Sequence, residues 1–117
     1  MTIKEVYDAL GENYADCVER LLTEENVARF AVKFLSDENF STLARAMKTR
    51  DAEKAFIAAH TLKGLAQNLG FSALGKSASN LTEVLRGRTF DGADELFKEV
   101  EINYNSVSFE VKKFAGQ

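Results

Sequence analysis

Apolar residues return at three- and four-residue steps along most of the chain, the spacing that gathers them on one face of a helix. Thr2 and Glu5 have capping-box spacing, and Ile3, Val6, Tyr7 and Leu10 then share a face until Gly11 stops the segment. Tyr14, Cys17, Val18, Leu21 and Leu22 repeat the pattern, and Thr23 is placed to cap a third segment carrying Val27, Phe30, Ala31, Phe34 and Leu35. After a break at Ser36 to Asn39, a fourth segment is lined by Phe40, Leu43, Ala44 and Met47 and closed by the polar run Lys48-Thr49-Arg50-Asp51. Asp51 then caps a helix of about five turns, Ala52 to Leu69, with Gly70 where a left-handed terminator is expected.

Phe71 and Ser72 open a further helix with Leu74, Ala78, Leu81 and Leu85 on one side, ended by Gly87. From Ala93 onward Phe97, Val100, Tyr104, Val107, Val111 and Phe114 keep a four-three alternation for about three heptads, the seam of a bundle helix. Short connections make neighbouring helices antiparallel. The pattern predicts an all-α fold: an up-and-down four-helix bundle with short N-terminal capping helices. One domain over residues 1–117 is expected, with capping helices in 1–22 and the bundle over about 24–115. The end of the third segment with the fourth supplies one bundle element, and the three long helices after Asp51 supply the others.

Composition agrees with this and narrows the function. There is no proline to interrupt a helix, and 117 residues with 45% hydrophobic content suffice for one continuous core. A net charge of −3 with both signs interspersed leaves no basic stripe to track a phosphate backbone, so nucleic acid is not expected as a partner. No basic-then-apolar leader opens the chain and no window approaches the roughly 18 apolar residues of a membrane span, so a cytoplasmic protein is expected. Cys17 is the lone cysteine and reads as a small buried residue.

The chemistry lies in the Ala52–Leu69 segment. At about 100° per residue, with His60 at zero, Lys63 falls near 300°, Gly64 near 40° and Gln67 near 340°, a single stripe. Ala55, Ala58, Leu62, Leu65, Ala66 and Leu69 cluster on the opposite side, so the lone histidine points away from the core. A mid-helix glycine costs about 1 kcal/mol relative to alanine, so Gly64 needs a packing or functional reason; baring the space over the imidazole is such a reason. Lys63, one turn along, can reach a phosphoryl group beside the ring and offset its charge. Phe56 lies one turn before His60, either as a docking contact or folded into the groove with a neighbouring helix. No phosphate-binding glycine loop is present, and one histidine offers no two-histidine metal site. A nucleophilic histidine without its own nucleotide or metal must take a phosphoryl group from a partner that supplies both.

The run Ala59-His60-Thr61-Leu62-Lys63-Gly64-Leu65-Ala66-Gln67-Asn68-Leu69-Gly70 resembles the signature of the histidine-containing phosphotransfer family in its bacterial, stand-alone form. The likeness extends more loosely from Phe34 through Leu85, including Asp51 and the Leu74, Ala78, Leu81 pattern. The resemblance implies a four-helix bundle with His60 as phosphoacceptor in a two-component multistep phosphorelay. It implies response-regulator receiver domains or a hybrid sensor histidine kinase as partners, and a phosphoryl carrier without autonomous catalysis. Magnesium would belong to the receiver, with no cofactor held by this chain, which is expected to act as a monomer. Lys63 carries over as the charge-stabilising residue and Gly64 as the one that gives access; Gln67, Asn68 and Phe71 carry over as docking-surface or helix-end positions. Where the family often places a glutamine or glutamate that holds the ring, this chain has Thr82, with Glu83 beside it; ring orientation rests on water, on Glu83, or on nothing. A pure interaction module and a hydrolase on the same bundle are the competing readings, the first indifferent to His60→Gln and the second requiring turnover by this chain alone.

Overall fold

The computed structural model describes residues 1–116, which form seven helices and no strand. They are α1 (Ile3–Leu10), α2 (Tyr14–Leu21), α3 (Glu24–Phe34), α4 (Asn39–Thr49), α5 (Ala52–Asn68), α6 (Ser72–Arg86) and α7 (Ala93–Ala115). The expected caps set the boundaries. Thr2 and Glu5 form a reciprocal capping box, and the Thr23 and Asp51 side chains accept from the Asn26 and Lys54 amides. Gly11 and Gly70 take left-handed conformations at φ 71° and 75° where their helices end.

Helices α4 to α7 form the up-and-down bundle: α4 packs on α5, α5 on α6 and α6 on α7. Phe40 of α4 closes the ring of helices, its side chain stacked 4.1 Å from Tyr104 and 5.8 Å from Phe97 of α7. The core between them holds Leu43, Leu62, Leu74, Leu81, Leu85 and Val100, all fully buried. Burial of each such side chain stabilises the fold by about 1.5–3 kcal/mol. Among the described residues no helix is long and apolar enough to cross a membrane.

The two short helices cap the turn between α5 and α6 through their side chains. The Tyr7 hydroxyl donates to the Leu69 carbonyl at 2.5 Å and the Cys17 thiol to the same oxygen at 3.1 Å. Arg20 donates to the carbonyls of Gln67 and Asn68, each at 3.2 Å, and the Glu12 carboxylate accepts from the Ala73 amide at 3.0 Å. These groups lie at the end of α5 and the start of α6, where a helix leaves carbonyls and amides unpaired. A cation at the C-terminus and an anion at the N-terminus also suit the helix dipoles. Gly70 sits at the close approach, where an added Cβ would stand 3.2 Å from the Cys17 Cβ.

Two expectations are corrected. Phe71 is fully buried, stacked on Tyr7 at 5.2 Å and tilted against Phe34 at 5.8 Å, so it is a core residue and no part of a docking surface. Its place at the helix start hid this: the chain turns inward there to bring α6 back along α5. Leu22 does not continue the apolar face of α2; it is 78% exposed at φ 82°, because the chain must reverse between α2 and the Thr23 cap. Gly87 ends α6 as expected, at φ −80°, and the residue after it, Arg88, takes a left-handed conformation at φ 59°.

Candidate functional site

Helix α5 presents the histidine face as the wheel places it. Ala55, Ala58, Ala59, Leu62 and Ala66 are buried against neighbouring helices, whereas His60 is exposed. Lys63 is half-buried, and among the described residues its ammonium has no ion pair. An ideal Cβ at Gly64 would meet nothing within 4 Å. The packing reason for a glycine there is thereby removed, since the residue touches no backbone or side chain that a methyl group would crowd. What lies over it is open space beside the imidazole.

The ring itself is stacked on Phe56, nearly parallel at 10° with centroids 5.9 Å apart. Of the two places open to Phe56, the structure shows the groove: its ring is half-buried beneath the guanidinium groups of Arg88 at 4.2 Å and Arg86 at 5.4 Å. Thr82 does not hold the ring. It is fully buried and donates its hydroxyl to the Ala78 carbonyl at 2.7 Å, one turn back on its own helix. Glu83 is exposed and bound to Arg86 by two hydrogen bonds, at 3.1 and 3.2 Å. Those bonds hold its carboxyl below the usual range, helped by the charges of Arg86 and, more weakly, of Lys63 and His60. Glu83 therefore lies in the field of the histidine face without bonding to it.

Gln67 and Asn68 are both exposed but do not share one surface. Gln67 leans over α6, where its Cγ would be 2.9 Å from a Cβ on Gly75. Asn68 lines a cleft of about 740 Å³ on the other side, between Phe30, Phe34, Asp37, Leu65 and Leu69. Ile57, which the periodicity alone passes over, is 54% exposed. On the wheel it falls near 60°, beside Gly64 at about 40°, so angular position would have found it where the habit of assigning isoleucine to the core did not.

The family model described as Hpt domain matches residues 34–108, more than half of the chain, and the chain belongs to that family. The matched span runs from the last residue of α3 into α7 and includes His60, Lys63 and Gly64. Hpt domains serve histidine phosphotransfer in two-component phosphorelays, as phosphocarriers that meet receiver and kinase domains. No curated protein and no solved structure matches the chain.

Proposed function

We propose that this chain relays a phosphoryl group between receiver aspartates through His60, the observation that carries the reading being an exposed imidazole beside an empty glycine position and an unpaired lysine. The outer ring nitrogen of a neutral His60 donates its lone pair to the phosphorus of an aspartyl phosphate. The phosphorus–oxygen bond to the carboxyl breaks and the receiver's carboxylate leaves. The reverse step hands the group to a second receiver, whose carboxylate oxygen attacks as the nitrogen–phosphorus bond breaks. A hybrid sensor kinase is served by the same surface through its receiver domain.

Lys63 neutralises charge that builds on the equatorial oxygens, and Gly64 leaves room for the receiver's loops to reach the ring. Exposed Ile57, Gln67 toward α6 and Asn68 on the opposite flank are the positions that the receiver touches on the two sides of the histidine stripe. Magnesium comes with the receiver, and the chain holds no cofactor of its own. It acts as a monomer, with residues 1–22 as capping helices and the bundle after them as one domain. A three-component relay tests the reading: a charged receiver, this chain and a second, uncharged receiver. Phosphoryl on the second receiver is expected only when the chain is present with His60 intact. Equal transfer with His60→Gln would overturn it.

A further inference from the structure

The His60 ring lacks the hydrogen bond that a polar side chain of α6 could supply. Thr82 spends its proton on Ala78, Glu83 is held by Arg86, and no described residue bonds the imidazole. A histidine left to itself on a helix surface samples several staggered wells, roughly three at χ1, and only some aim the outer nitrogen at a partner. Among the described residues the aromatic ring stacked on the imidazole is Phe56, and Phe56 is itself gripped.

The grip comes from Arg88, in the connection between α6 and α7. Its guanidinium lies over the Phe56 ring at 4.2 Å while its Nε donates to Glu53 at 2.6 Å. Its Nη1 donates to the carbonyls of Arg86 at 2.9 Å and Leu85 at 3.4 Å. Glu53 and Phe56 are one turn apart on α5, so a single planar head holds both. Arg88 does this from a left-handed backbone, φ 59°, uncommon for a residue with a side chain, although Gly87 precedes it and could adopt that conformation freely. Arginine suits the task and lysine does not: only a flat, multiply donating cation can stack on a ring and bond a carboxylate and two carbonyls together. The ion pair with Glu53 is solvent-exposed and contributes little to stability by itself.

We infer that Arg88 is a positioning residue which, by clamping Phe56, fixes the shelf against which the His60 imidazole is aimed. The clamp does in this chain what a hydrogen bond from α6 would otherwise do. The inference rests on His60 being the phosphoacceptor, but its geometric half can be tested without any transfer.

The test uses Arg88→Ala, Arg88→Lys, Phe56→Leu and Phe56→Tyr, each first shown to be folded by circular dichroism. His60 is the only histidine, so its ring proton resonances are unambiguous. They are expected to sit away from free-imidazole positions in the parent and in Phe56→Tyr, and to move back in Phe56→Leu and Arg88→Ala. In transfer from a charged receiver, Arg88→Ala, Arg88→Lys and Phe56→Leu should lower the maximal rate about three- to tenfold, as expected for loss of one preferred orientation. The half-saturating receiver concentration should stay unchanged, and Phe56→Tyr should restore the rate. Ring signals unmoved by Arg88→Ala would overturn the clamp, as would a change confined to half-saturation, which marks a docking contact. Because the signals are read on the unphosphorylated chain, failure of the clamp and failure of the relay reading are told apart.

Discussion

Gly64 gives the sharpest prediction because its two expected effects have opposite sign. Its backbone is helical and a Cβ there meets nothing within 4 Å, so Gly64→Ala introduces no clash and removes a residue poorly suited to a helix interior. The gain is about 1 kcal/mol from helix propensity. With an unfolding entropy of about 2.1 cal/mol/K per residue over 117 residues, that gain raises the melting temperature by about 4 °C. Gly64→Gln gains about 0.5 kcal/mol for the same reason. Transfer should move the other way. The methyl group of alanine intrudes on the approach to the ring and the glutamine side chain fills it; a displacement of about 1 Å can cost a hundredfold in rate. Calorimetry on both variants, paired with the rate of phosphoryl uptake from a charged receiver, should show more stable proteins that accept more slowly, about tenfold for alanine and a hundredfold for glutamine. A lower melting temperature for Gly64→Ala would mean that the glycine serves packing. Parent-like uptake by Gly64→Gln would refute the steric argument itself.

Lys63→Ala should slow uptake or shorten the phosphohistidine lifetime by about tenfold, a 1.4 kcal/mol effect within the range for an ion pair near a protein surface; with both unchanged, the lysine is a solvated surface residue. Phe71→Ala should lower stability by about 3–5 kcal/mol in a urea titration, the cost of emptying an aromatic site in the core; a loss under about 0.5 kcal/mol would return Phe71 to the surface. Stability should fall at alkaline pH. Burial pushes the Cys17 thiol up, and burial with the Cys17 hydrogen bond pushes the Tyr7 hydroxyl up, so the folded chain keeps protons that the unfolded chain releases. Their contribution is therefore complete below the unfolded values of 9.0 and 10.0 and is lost as pH rises past them, each by up to about 1.4 kcal/mol per unit. Urea midpoints at about pH 8 and about pH 11 check this, and Tyr7→Phe should show the smaller drop; equal midpoints for the parent chain would refute it.

The helices and their ends were legible because side-chain caps and periodicity are local. Thr2, Thr23, Asp51, Gly11 and Gly70 act where the chain order puts them. What escaped was set by contacts between distant residues. Nothing near Tyr7, Glu12 or Arg20 in sequence says that these residues close the ends of α5 and α6, more than 40 positions away. Phe71 does stand at the start of α6, between Gly70 and Ser72, but only the inward turn of the chain, set by distant partners such as Tyr7 and Phe34, buries it. At the site, His60, Lys63 and Gly64 followed from one angular stripe, whereas Arg88 is a loop residue whose side chain returns across a helix gap to Phe56. No periodicity reports on such a contact. Thr82 stands where the family often places a residue that holds the ring, and its short side chain leaves the ring alone: a buried hydroxyl on a helix is satisfied most readily by the carbonyl one turn back.

The central claim, that His60 carries the phosphoryl group, is tested most directly by the intact mass of the chain after incubation with charged receiver domains, beside His60→Gln. The account predicts the added mass of one phosphoryl group on the parent, lost in acid and stable in base, with none on the variant. An adduct of equal size on His60→Gln, or none on the parent from any receiver shown to be charged, would contradict it.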